Sequence, residues 1–305
     1  MRSRCIHCTY ANYCRSHAHI RLVNKESLKP CMWINKHIHT SYRPTDLPWT
    51  LCVKSIFQWN NETINVWSHL LGFFYLSLMQ YWNICHFLPN INAHPMDYVI
   101  TGISMLCSQV CMVLSSAYHT FGCQSASRRR KWLKADLFGV STGLFGIYLT
   151  GIYTSFYKFP SSKLIPAVPQ RRIGPVHCIY VGLALFGLYP AWHWVELHGG
   201  LSSPHVERWL PSLVILFALV GMAFVFYATL IPERFYPGQF DVVGCSHQWW
   251  HLLILAAMVY WHWAGIDLLT FYHATSAKTM QGQKEYFETP SGIKSLSNTT
   301  HSDRL

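Results

Sequence analysis

Six long apolar stretches divide this chain, at about 65–88, 96–121, 135–157, 173–195, 209–231 and 244–272. Each is at or above the roughly 20 residues with which a helix crosses a bilayer. Between Ile173 and Val206 the only formal charge is Glu196, and from Val242 to Tyr272 it is Asp267. Gly and Pro fall inside these stretches, which membrane helices tolerate. The pattern predicts an all-α polytopic membrane protein: a basic N-terminal segment (1–60), a helical core (61–272) and a polar C-terminal tail (273–305).

Composition removes the competing classes. Charged residues make up 12% of the chain, against roughly 25% in soluble proteins, and apolar residues reach 51%. A water-soluble enzyme, a disordered chain and a fibrous protein are all excluded. The net charge of +11 comes from clumps beside spans rather than from a continuous patch. Residues 1–54 hold nine Lys and Arg against Glu26 and Asp46, and Arg128, Arg129, Arg130, Lys131 and Lys134 form a second clump. Such clumps mark cytosolic loops, with anionic lipid or a protein partner as the lesser reading; nucleic acid is not an expected partner. The eleven cysteines are an odd number, and several (Cys107, Cys111, Cys178, Cys245) lie inside spans, so they read as small packing residues rather than a disulfide framework. The N-terminus has no apolar core of a cleaved signal.

Charge placement sets the N-terminus in the cytosol, the connection 85–95 outside, and Arg128–Lys134 back in the cytosol. After the third span the signals conflict. Lys158, Lys163, Arg171 and Arg172 follow where an exoplasmic loop is due, yet 197–208 again carries almost no basic residue. One crossing is missing between Tyr157 and Ile173. An extended backbone rich in proline cannot supply it, because its amides would face lipid unpaired.

Eighteen histidines include several inside spans, where ionisable groups are costly and mark sites. His247 and His251 stand at i and i+4 and project from one helical face. Two imidazoles so placed can grip one metal ion, and a catalytic zinc takes three protein ligands plus water. His119 offers the third, with Ser115 one turn earlier, and Asp136 can orient a ligand or a bound water. The competing reading makes these histidines core residues bonded to neighbouring helices. Clustering near span boundaries favours zinc.

Glu62-Thr63-Ile64-Asn65-Val66-Trp67-Ser68-His69-Leu70-Leu71-Gly72 resembles the opening signature of the progestin and adipoQ receptor family. Ser115-x-x-x-His119, Asp136 and His247-x-x-x-His251 resemble its other motifs, in order, over residues 40–272. The resemblance implies seven helices with a cytosolic N-terminus and zinc near the cytosolic face. It makes His119, His247 and His251 the ligands, with Asp136 and Ser115 in support. It also implies an adiponectin-receptor-like activity, hydrolysis of ceramide-type amides. Glu62, Asn65 and His69 are not ligands by this analogy; their i, i+3, i+7 spacing suggests a polar seam against neighbouring helices. Pro232-Glu233-Arg234-Phe235-Tyr236-Pro237-Gly238-Gln239, His193-Trp194-Val195 and Leu51–Phe57 point to a Golgi-membrane branch that retains a Raf-type kinase and damps MAP kinase signalling.

Against seven family helices the chain shows six spans, with the fourth absent. Six crossings would reverse the last helix and set His119 a membrane's thickness, about 30 Å, from His247 and His251. The sequence also departs from the family at Lys29–Ile34 and Ser41–Arg43. A Cys5-x-x-Cys8 pair with Cys14, His17 and His19 has the spacing of a small zinc knuckle. Asn298 begins a sequon usable only in a lumenal tail. Three functions compete: a Golgi anchor for a Raf-type kinase, a zinc amidohydrolase acting on membrane lipids, and a ligand receptor.

Overall fold

The computed structural model describes residues 20–157, 182 and 186–288. Among them the chain is helical: α1 Trp49–Lys54, α2 Thr63–Trp82, α3 Pro95–Phe121, α4 Ala126–Ser155, α5 Leu188–Leu197, α6 Pro204–Thr229 and α7 Ser246–Glu288. By length and composition α3, α4, α6 and the first part of α7, Ser246–Thr275, can cross a membrane. At 20 residues, α2 is also long enough; its buried side includes the polar Asn65 and His69. Of the stretch expected at 173–195, the continuous described part starts at Phe186. The segment 158–181, the Cys5-x-x-Cys8 pair and Asn298 lie outside the described residues.

Two helices run beyond the apolar stretches that announce them. The Ser125 side chain caps α4 by accepting from the Arg128 amide at 3.3 Å, so α4 begins in the basic loop, well before the apolar part. α7 continues past Tyr272 to Glu288, because Ala, Lys, Met, Gln and Glu favour helix after the apolar run has ended.

The contact between antiparallel α3 and α4 is set by missing side chains. A Cβ on Gly139 would lie 3.2 Å from the Cys111 Cα, and one on Gly146 would lie 2.8 Å from the Cys107 Cβ and 2.9 Å from the Ser104 carbonyl. Small residues at such spacing let membrane helices approach closely. Carried one turn further, this register brings Asp136 opposite Ser115. Gly146→Ala is therefore expected to destabilise the bundle by about 1–3 kcal/mol. Gly221→Ala, where an added Cβ meets nothing within 4 Å, leaves thermal unfolding in detergent unchanged or raises it.

The two ends of the bundle are held differently. At the end where α3 and α4 meet the basic loop, residues 20–60 fold onto the core. The Arg43 guanidinium donates to the carbonyls of His119 and, at 2.9 Å, Thr120. Asp241 accepts from the amides of His39 and Thr40 at 3.0 and 2.7 Å. Glu233 accepts from Asn35 at 3.1 Å and from the Ser246 amide, at the start of α7, at 2.7 Å. At the other end, fully buried Asp97 gathers Tyr153 at 2.6 Å, His273 at 3.0 Å and the His94 amide at 2.7 Å. That carboxylate ties α3, α4 and α7 together.

α4 and α5 run side by side in the same direction. Tyr148 bonds the backbone of Gly187, and two turns on the Phe156 ring lies 6.1 Å from that of His193. With α5 so oriented, α6 returns towards the basic end and α7 starts there, beside the end of α3.

Candidate metal centre

Three elements converge at the basic end. α3 brings His119 in its last turn, α7 brings His247 and His251 in its first two turns, and Glu62 stands at the residue before α2. His119 and His251 are buried, and His247 is partly so. The expected consequence of six spans, a membrane's thickness between His119 and the pair, is not what the fold gives. One ring nitrogen from each of the three lies within 4.8 Å of the others.

Two of the three spacings are those of ligands round one ion. The His247 Nε2 is 3.3 Å from the His119 Nε2 and 3.3 Å from the His251 Nε2. Zinc–nitrogen bonds of about 2.0–2.1 Å at a tetrahedral angle hold their nitrogens about 3.3–3.4 Å apart. Hydrogen bonding alone cannot give each of the three nitrogens a linear partner, since one Nε2–H would have to be shared between two acceptors. A cation that takes all three lone pairs can. The donor set, three neutral imidazoles, suits a borderline ion such as zinc.

Glu62 fixes the tautomer that this requires. Its Oε2 accepts from the His119 Nδ1 at 2.7 Å, so the Nε2 presents its lone pair to the centre. The Asn65 amide donates to the same oxygen at 2.7 Å, which holds the carboxylate in place. His69 lies over His251, ring centroids 4.0 Å apart, with its Nε2 3.4 Å from the His251 carbonyl. Thus Glu62, Asn65 and His69, expected as a seam, lie immediately behind the three histidines. The Ser115 hydroxyl donates to Asp136, and Asp136 lies within electrostatic reach of His119. Sequence reasoning missed Arg43, whose bond to the His119 carbonyl links the N-terminal segment to the centre. Its one signal was a lone arginine in a run otherwise free of charge between Lys36 and Asp46.

Fold and site together define a multi-pass helical membrane protein with a triple-histidine centre at the basic end of its bundle. The profile of the Haemolysin-III related family matches residues 57–169 and 162–262. A "Progestin and adipoQ receptor family member 3" of Mus musculus is 34% identical over 275 residues, covering 84% of this chain and 88% of the relative. The protein of that description in Homo sapiens matches to the same extent. An "Adiponectin receptor protein" of Drosophila melanogaster is 28% identical over 286 residues, 83% of this chain and 62% of the relative. The chain belongs to the Haemolysin-III related family, among the progestin and adipoQ receptors.

Proposed function

We propose that this chain is a zinc-centred anchor of the Golgi membrane whose folded N-terminal segment retains a Raf-type kinase and so damps MAP kinase signalling. The observation that carries this reading is the docking of residues 20–60 onto the end of the bundle that holds the histidines. That segment is fixed by Arg43, Asp241 and Glu233, so it offers a preformed surface. The basic residues collected at this end favour the cytosolic side, where a kinase is found. The likeness to family member three supports the choice of partner. His119, His247 and His251 would hold the zinc, with Glu62 orienting His119, and the centre would stiffen the base on which the platform rests.

Co-expression with the kinase and imaging of its location tests this reading. Full-length chain is expected to draw the kinase to Golgi membranes, whereas Arg43→Ala weakens the effect severalfold while the chain itself stays in place. Kinase relocation by a chain that lacks residues 20–54 would overturn it.

A second reading, a zinc-dependent hydrolase of ceramide-type amides, is favoured by Ser115 and Asp136 beside the centre. Zinc, when bound, lowers the pKa of a water and polarises a carbonyl. Asp136 and Ser115 stand where they can orient such a water. Amide hydrolysis by purified protein, abolished by Asp136→Ala without loss of zinc, is the outcome that this reading requires.

A further inference from the structure

The start of α4 carries a charge arrangement that the helix itself does not favour. Arg128, Arg130, Lys131 and Lys134 are all exposed and lie within two turns of each other, so like charges face one another at i+3 and i+4. Arg128, in the first turn, also stands where the macrodipole disfavours cations. The ion pairs among the described residues, His119–Glu62, Arg208–Asp267 and His273–Asp97, relieve none of them. Arg129 is turned inward, 5.2 Å over the Tyr118 ring and donating to the Trp33 carbonyl at 3.4 Å. The other four are exposed and have no acidic partner among the described residues.

Their depth is set by the rest of the helix. The apolar part of α4 starts near Leu137, and a rise of about 1.5 Å per residue places Lys134 about 5 Å and Arg128 about 14 Å beyond it. Each headgroup layer is about 5–8 Å deep, so Lys134 lies within it and Arg128 stands beyond it, at the height of a headgroup that projects into water. Aromatic anchors mark the same level. Trp49, half exposed on α1, has its ring 4.3 Å from Phe121 and 6.1 Å from Trp132, with the Arg128 guanidinium 5.9 Å above it. The exposed Val53, Phe57 and Trp59 follow on the same short stretch, and tryptophans at an interface sit among headgroups.

We propose that Arg128, Arg130, Lys131 and Lys134, with Trp49 and Trp132 at their side, form a binding site for a polyanionic lipid headgroup, an inositol phospholipid of the surrounding bilayer. Four cations in two helical turns call for a ligand with several negative charges, which a phosphorylated inositol ring offers and a singly charged lipid does not. Phosphate is also the group that a helix N-terminus stabilises. A soluble protein would have to displace headgroups to reach Lys134, whereas a membrane lipid meets all four cations from its own layer.

The test uses full-length protein in phosphatidylcholine nanodiscs containing a few mole per cent of phosphatidylinositol 4-phosphate, or phosphatidylserine at matched total charge. Retained lipid is read by native mass spectrometry. The expected result is selective retention of the inositol phospholipid by the unaltered chain. At about fivefold per juxtamembrane charge, the variant R128Q/R130Q/K131Q/K134Q should lose at least a hundredfold. K25Q/K29Q/K36Q, on the N-terminal platform, should lose nothing, and unchanged metal content in both variants shows that they fold. Equal retention by the quadruple variant would overturn the site, as would equal retention of phosphatidylserine, which would mean surface charge alone. A quadruple variant that keeps the lipid and instead stops relocating a kinase would assign these cations to a protein partner, and the proposal would fail.

Discussion

His247→Ala is expected to reduce the zinc of the purified chain from about one ion per molecule to background. The imidazole it removes is the one whose Nε2 lies 3.3 Å from both of the others, so its loss leaves two nitrogens that no longer share a close neighbour. Elemental analysis after size-exclusion in a metal-free buffer checks this. His262→Gln is the control: His262 is also a buried histidine of α7, but its Nε2 lies 2.7 Å from Asn83, away from the cluster, and glutamine keeps a polar partner there. The account requires zinc to survive His262→Gln and to vanish in His247→Ala. Equal content in the two variants would mean that the ion is held elsewhere.

Glu62→Ala is expected to weaken zinc binding by about 10- to 100-fold, the usual consequence of removing a carboxylate that orients a ligating histidine. Without Glu62 the His119 Nδ1–H is left buried and unpaired, and the ring is free to adopt the tautomer that points a proton at the centre. Glu62→Gln should lose less, since an amide oxygen still accepts from Nδ1. Competition with a chelator gives the apparent affinities, and the graded order Glu, Gln, Ala separates orientation of His119 from a merely structural role. A structural role alone would lower thermal stability while the zinc affinities stayed equal.

The parts of this molecule that were legible in the sequence are those written in local spacing. The apolar runs announced the spans because a bilayer demands length and apolarity from contiguous residues, and His247 and His251 announced themselves by standing one helical turn apart in such a run. His119 could be added because Ser115 and the boundary position made it similar to them. What could not be read is carried by long-range register. Glu62 and His119 are 57 residues apart, and i, i+3, i+7 spacing along α2 says only that Glu62, Asn65 and His69 share a face. It does not say that this face backs onto the histidines. The same holds for Arg43, which reaches across 76 residues to the His119 carbonyl.

The separation expected between His119 and the His247/His251 pair rested on taking each of six apolar stretches as one crossing, so that one crossing fewer than the family's reversed the last helix. The parallel course of α4 and α5, held by Tyr148 on Gly187, starts α7 at the same end as the histidine of α3. The glycines that close α3 onto α4 were visible as letters, but their meaning needed the facing Cys107, Cys111 and Ser104. The extension of α7 to Glu288 was hidden for the opposite reason, since a polar helix leaves no apolar trace.

X-ray absorption at the zinc edge, on the full-length chain purified without added metal, tests the central claim most directly. The account predicts a first shell of three imidazole nitrogens at about 2.0–2.1 Å completed by one oxygen. A first shell containing sulfur, which lies at about 2.3 Å, or purified protein that carries no zinc, would contradict it.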